Sequence, residues 1–355
     1  MRVLHICPLW FPIAVDSPGG IETFLAQLLP ALQETGCDVS FLASGDSSTG
    51  ATLIPAVREH LRLGMANGSV SEYGFYEQHQ LGMAMQHAVE YDVVHSHIGF
   101  AAYSLSAMAN GNGRILHTVH SPVYHDFEWY VSNHPEIWIS TVSEFQARIA
   151  RKAGAKSVSM IHNGIDFRRF DFCSRTGDGL AFMGRIEPGK GPDTAIQVAR
   201  ALDLPLTLAG PVVDSAFFAG RIKPFLGNRV QYVGELKHEA KKQLLGSSSC
   251  LLMPSRWAEP FGLVTIEAMA CGTPVVALGS GALPEIVEDG ITGYVGNDAD
   301  AMQRLVGKAI DLDRAGVRSR AKSRFDIPIV ASQYQALYAE MQRGMNGKGA
   351  PGVEQ

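Results

Sequence analysis

Short apolar runs alternate with helical patterns along the whole chain, and this alternation limits the fold more than any other feature. Val3-Leu4-His5-Ile6-Cys7 reads as a strand, and residues 21–33 read as a helix with Gly36 just past its end. Strands at 39–43, 92–95, 115–119 and 137–142 follow, and Ser143 stands where a helix opened by Glu144-Phe145-Gln146 needs a cap. A second series starts near residue 180. Leu180-Ala-Phe-Met183 stops at Gly184, and 206–209 stops at Gly210-Pro211. Runs at 230–233, 250–253 and 274–278 stop at Gly234, Pro254 and Gly279. Strand then helix, repeated, predicts parallel sheets covered on both faces. Ligands of such sheets bind at the carboxyl ends of the strands.

A chain of 355 residues suits two such domains. The stretch 163–179 carries Asn163-Gly164, Arg168-Arg169 and Gly177-Asp178-Gly179, and reads as the divide. The expected organisation is a domain at 1–165, a second at 166–327, a closing helix at 328–343 and a disordered tail at 344–355. A net charge of −5 gives no support to a nucleic-acid partner. The five cysteines are scattered and form no C-x-x-C pair, which argues against a disulfide framework or zinc site and fits a reducing cytoplasm. Pro8 and Pro12 break any signal-peptide core, so a buried first strand is the better reading of the start. The apolar stretch 262–278 contains Glu267, Gly272 and Pro274 and cannot span a membrane.

Two segments carry chemistry. Gly184-Arg-Ile-Glu-Pro-Gly-Lys190 matches the first seven positions of a P-loop, but Gly191 stands where Ser or Thr would hold magnesium. The loop offers two cations, Arg185 and Lys190, on either side of a turn, which suits a departing diphosphate. The second segment is Pro254-Ser-Arg-Trp-Ala-Glu259-Pro-Phe-Gly-Leu-Val-Thr-Ile-Glu267. Glu259 precedes a proline and lies on a loop. Glu267 lies inside an apolar helix, 263–270, and needs a partner there. Carboxylates accept hydrogen bonds from sugar hydroxyls. The helix start at Phe261-Gly262-Leu263 offers free N–H groups to phosphate.

The second segment resembles the E-x7-E signature of family 4 glycosyltransferases, retaining enzymes of the GT-B fold. The resemblance extends over nearly the whole chain. Gly19-Gly20-Ile21-Glu22 is similar to the family's glycine-rich first turn, His117-Thr-Val-His120 to its active-site histidine strand, and Asn163-Gly-Ile-Asp166 to its interdomain motif. Gly184, Arg185 and Lys190 match its diphosphate clamp, and residues 279–293 match the stretch after the E-x7-E helix. The resemblance implies two doubly wound Rossmann-like domains with parallel sheets facing a central cleft. It implies that Arg185 and Lys190 neutralise the diphosphate and that Glu267 holds the ribose. Glu259 would hold the transferred sugar, helped by the backbone of Phe261, Gly262 and Leu263. Gly20 would approach the phosphate, His120 would face the sugar, and the base would lie against Gly210 and against Gly234-Glu235-Leu236. The donor would be a UDP-sugar, with a GDP-sugar as the alternative. The configuration would be retained, the departing phosphate taking the acceptor's proton, with no cofactor and no metal.

Other readings concern the histidines, the acidic pairs and the acceptor. His95-Ser-His97 and His117-x-x-His120 invite a metal reading, but no carboxylate accompanies them at regular spacing. Asp298-Ala-Asp300 and Asp311-Leu-Asp313 match a DXD motif formally, and read as helix caps and solvated faces. The acceptor, a saccharide, glycolipid or small metabolite, would meet Gly19, Tyr124, Trp129 and Ser143. Residues 124–130 read as an aromatic loop. Residues 49–82 read as the most irregular stretch, its Tyr73, Phe75 and Tyr76 either stacking on an acceptor or filling core. No basic amphipathic helix stands out, so membrane association would be peripheral at most. A sugar-nucleotide epimerase and a non-catalytic nucleotide-sugar-binding protein are the alternatives.

Overall fold

The computed structural model describes residues 1–108, 114–175, 177 and 179–347. The chain divides into two compact units, Met1–Asn163 with Ile327–Gln355, and Gly164–Asp326. In the first, a seven-stranded sheet has the order β3-β2-β1-β4-β5-β6-β7. Its strands are β1 (Arg2–Ile6), β2 (Asp38–Ser44), β3 (Thr52–Val57), β4 (Val93–Ser96), β5 (Ile115–Val119), β6 (Trp138–Thr141) and β7 (Ser157–Met160). All neighbours run parallel. Val3, Leu4 and Ile6 of the central β1 are fully buried, as a strand covered on both faces requires.

The second unit holds a six-stranded sheet of order β10-β9-β8-β11-β12-β13. These strands are β8 (Leu180–Met183), β9 (Leu206–Ala209), β10 (Val230–Tyr232), β11 (Cys250–Met253), β12 (Val275–Leu278) and β13 (Gly293–Gly296). They too pair in parallel. Both sheets reverse their strand order once, between β1 and β4 and between β8 and β11. Parallel α/β sheets open a crevice at such a reversal.

The last helix, Ile327–Gly347, returns to the first unit and packs along the helix Gly20–Glu34. Tyr334 and Tyr338 lie fully buried there. The helix extends past Arg343 into the stretch expected to be disordered, while 348–355 lie outside the described residues. The stretch 49–82 is not irregular: it holds β3 and the helices Leu61–Asn67 and Gly74–His87. Its signal is weak because β3 is a half-covered edge strand containing Pro55, and Gly64 and Gly68 interrupt the helical pattern. Residues 124–130 are also not a loop. They enter the helix His125–Asn133, whose Phe127, Tyr130 and Val131 pack inward at i, i+3, i+4 spacing. Among the described residues no helix is long and apolar enough to cross a membrane.

Candidate active site

The reversal in the second sheet brings two loops together. The loop after β8 carries Arg185 and Lys190, and the loop after β11 carries 254–262. Arg256 ties them: its guanidinium donates to Pro188 O at 3.0 Å, Asp193 Oδ1 at 2.9 Å and Thr194 Oγ1 at 2.7 Å. Gly191 has φ +70°, and a Cβ there would come within 2.2 Å of Pro254 O. That contact explains the departure from the P-loop pattern, because the eighth position has no room for a hydroxyl-bearing side chain.

Arg185 and Lys190 both approach the ring of Trp257, with Arg185 Cζ 4.9 Å and Lys190 Nζ 4.6 Å from its centroid. Arg185 also pairs with Glu187 at 2.8 Å. Lys190 Nζ donates to both oxygens of Glu259, at 2.9 and 2.8 Å. The buried Glu259 carboxylate accepts further bonds from Ser255 Oγ at 3.0 Å and Trp257 Nε1 at 2.8 Å. Burying a charge is costly unless it is paired and hydrogen-bonded, and here every donor converges on one carboxylate. Gly281, at φ +59°, lets the following turn press against this loop, where a Cβ would meet Glu259 N and O at 2.3 Å. The helix Leu263–Ala270 begins next, with Gly262 as its N-cap at φ +94° and no side-chain cap hydrogen bond. Further along, the buried Glu267 accepts from Lys241 Nζ at 2.5 Å.

Gly184, Gly210 and Gly234 end adjacent strands and meet through their backbones. Gly184 N donates to Ala209 O at 3.0 Å, and Gly210 N to Gly234 O at 2.8 Å. Gly210 has φ +133°, and a Cβ there would sit 2.0 Å from Gly184 O. Glu235 beside them is exposed and Leu236 half-buried.

The reversal in the first sheet gathers histidines. His5 and His95 are register partners on β1 and β4, His97 follows β4, and His120 follows β5. His5 Nδ1 and His97 Nε2 lie 3.0 Å apart, as do His97 Nδ1 and His120 Nε2. His95 is bonded at both nitrogens, Nδ1 to Tyr338 OH at 2.7 Å and Nε2 to Thr118 Oγ1 at 2.6 Å. Burial pushes His5, His117 and His120 down to about 3, and His95 and His97 well below the ordinary range. His5, His95 and His97 bring ligand atoms within 4.8 Å of one another. Both nitrogens of His95 and of His97 are engaged by hydroxyls and neighbouring rings, which leaves His5 Nε2 as the one unpartnered nitrogen of this trio among the described residues.

The family model for glycosyl transferases group 1 matches residues 175–324, and the model for glycosyltransferase family 4 matches 18–169. The chain is a family 4 glycosyltransferase of the GT-B fold. It is 28% identical to a glycogen synthase of Mycobacterium tuberculosis over 97% of this chain and 96% of that protein. It is 27% identical to a phosphatidyl-myo-inositol mannosyltransferase of Mycolicibacterium smegmatis, over 95% and 93%. Among solved structures, AviGT4, a glycosyltransferase involved in avilamycin A biosynthesis, superposes with a TM-score of 0.74 at 25% identity, covering 97% of this chain and 98% of that one. Anabaena Alr3699/HepE in complex with UDP-glucose superposes with a TM-score of 0.73 at 18% identity, covering 96% and 100%.

In this transferase Arg185, Lys190, Glu259 and the helix start at Phe261, Gly262 and Leu263 form one constellation, while Glu267 is held separately by Lys241. The sequence reading missed Trp257, Ser255 and Lys241. A partial signal was available, since a lone Glu in an apolar helix demands a cation and the helix His238–Ser247 carries two, Lys241 and Lys242, of which the structure pairs Lys241 with Glu267. Gly19 is the N-cap of the helix that starts at Gly20, and a Cβ at Gly19 would fall 1.9 Å from Glu22 Oε2. Glu22 is buried, and desolvation raises it to about 7. Tyr124 and Trp129 are 63% and 66% exposed. Ser143 does not stand open for an acceptor: it is fully buried, and its Oγ caps the helix Glu144–Lys152 through Gln146 N at 3.4 Å. Asp298 and Asp313 cap helices in the same way, accepting from Ala301 N at 2.7 Å and from Gly316 N at 2.9 Å.

Proposed function

We propose that this glycosyltransferase is a retaining hexosyltransferase that moves a sugar from a UDP-sugar to a hydroxyl acceptor without a metal ion. The observation that carries the reading is the pairing of two cations, Arg185 and Lys190, with one buried carboxylate, Glu259, beside an uncapped helix N-terminus at Gly262. A diphosphate leaving group needs charge neutralised where it develops, and cations plus a helix N-terminus do this without an added ion. Glu259 binds hydroxyls of the transferred sugar, and Glu267, set in place by Lys241, binds the ribose. His120 hydrogen-bonds a sugar hydroxyl as a neutral ring. HepE, a fold neighbour, was solved with UDP-glucose, and the glycogen synthase and mannosyltransferase relatives bear names of hexosyl transfer. The acceptor side includes Gly19, Tyr124 and Trp129, whose exposed rings suit stacking on a saccharide or a similar ring.

The test is a thermal-shift panel of UDP- and GDP-sugars with and without manganese, followed by NMR assignment of the product anomer. A UDP-sugar at 100 times its Kd should stabilise the nucleotide-binding unit by about 2.7 kcal/mol without metal. Stabilisation only in manganese, or a product of inverted configuration, would overturn the reading.

A further inference from the structure

The three rings His5, His97 and His120 form an unbranched chain of two hydrogen bonds, each 3.0 Å long. Among the described residues both ends lack a partner: His5 Nε2 and His120 Nδ1 are buried with no hydrogen bond. His5 and His97 also stack, with ring centroids 5.2 Å apart and planes 6° from parallel.

Proton counting leaves few arrangements. Three neutral imidazoles carry three N–H groups on six nitrogens. Each hydrogen bond uses one N–H and one lone pair, so one N–H and one lone pair remain for the two ends. His97 cannot donate at both nitrogens without becoming a cation, which full burial opposes. It cannot accept at both without becoming an anion. Two arrangements survive, and in both every proton points the same way along the chain. In one, His120 Nδ1 carries a proton and His5 Nε2 a lone pair. In the other, these are exchanged.

The inner end decides between them. Neither His5 Nε2 nor His120 Nδ1 has an acceptor among the described residues, but His5 is fully buried whereas His120 is part-buried just past the end of β5, so only the His120 end can gain an acceptor from a bound substrate. A buried N–H without an acceptor is rarer and more costly than an unfilled acceptor. The inner end therefore keeps the lone pair, and the protons sit on Nδ1 of all three rings. His5 donates to His97, His97 donates to His120, and His120 is left with an N–H at Nδ1 that has no acceptor among the described residues.

We propose that His97, backed by His5, is a positioning residue that locks His120 as the Nδ1–H tautomer, so that the transferase meets a substrate oxygen with a neutral donor of fixed direction. The benefit to transfer rests on the proposed function, in which His120 contacts the sugar. The tautomer itself does not.

The test separates the two. Nitrogen-15 NMR of histidine-labelled enzyme, without substrate, reads the tautomer of each ring. His120 should be Nδ1–H in the wild type. In His97→Leu, which removes both bonds, His120 should become a mixture of tautomers and kcat should fall at least tenfold with little change in KM. In His97→Asn, whose amide nitrogen replaces Nδ1 as the donor, the tautomer should persist and kcat should recover to within about threefold of wild type. An Nε2–H His120 in the wild type overturns the proposal whether or not any variant folds. So does a His120 signal unchanged in folded His97→Leu, or an equal loss of kcat in Asn and Leu variants. If transfer is absent from the wild type while the tautomers follow this pattern, the proposed function fails and the relay stands.

Discussion

Four buried histidines and the part-buried His120, all held as neutral rings, make the first unit acid-sensitive, and the size of the effect follows from their environment. His5, His117 and His120 have folded values near 3, and His95 and His97 lie well below the ordinary 6.5. A depressed folded value means that the unfolded chain binds protons first. The stabilisation is therefore fully present above about pH 6.5 and is lost as pH falls toward 3. Between pH 7.5 and 5.5 each such ring costs on the order of 1 kcal/mol of stability, and the group together several kcal/mol. Glu22, raised to about 7, acts in the opposite direction. Its neutral form is favoured in the fold, so acidification over the same window returns about 2 kcal/mol. A net loss of several kcal/mol is comparable to the whole stability of many domains. Urea unfolding at pH 7.5, 6.5 and 5.5, at constant ionic strength, should show the first unit's midpoint falling steeply while the m-value holds. A loss below about 1 kcal/mol over that window would refute the reasoning, since it would mean that the folded rings take up protons.

Glu22→Gln should raise the melting temperature at pH 8, where the wild-type carboxylate is charged and buried, and change little at pH 5; equal effects at both values would count against the raised carboxyl. Glu267→Ala should weaken nucleotide affinity measured by calorimetry about tenfold, and Lys241→Ala should do nearly the same by releasing Glu267. Trp257→Leu should lower turnover more than it weakens nucleotide binding, because it removes the ring against which both cations rest, about 1 kcal/mol each; unchanged kcat would exclude that role. Gly191→Ala should cost at least 2 kcal/mol in thermal unfolding, from a left-handed φ and the contact with Pro254 O.

The central strands were readable because they are short apolar runs closed by Gly or Pro; β8, β9 and β11 lie where the pattern puts them. The half-buried edge strand β7, Ser157-Val-Ser-Met160, carries no such run and was missed. In the second unit the residues of the constellation were legible, because loops at strand ends keep their chemistry local in sequence. Their pairing was not: nothing in the order of residues says that Lys190 spends its charge on Glu259. The histidine chain was the least legible part. His5 is an ordinary residue of an apolar strand until the sheet order places β1 beside β4, 92 positions away for His97.

The return of the last helix to the first unit also sets an order of assembly on the ribosome. Tyr334 and Tyr338 fill the space beside His95 and Thr118, so the sheet built from the first 163 residues has an open flank until Tyr338 is made. At about 5–20 residues per second that wait lasts roughly 10–35 s. The second unit is one continuous segment, Gly164–Asp326, and has all its parts before Tyr338 is made, by about 0.6–2.4 s at the same rate. The half of the enzyme that is synthesised first is thus the half that finishes last.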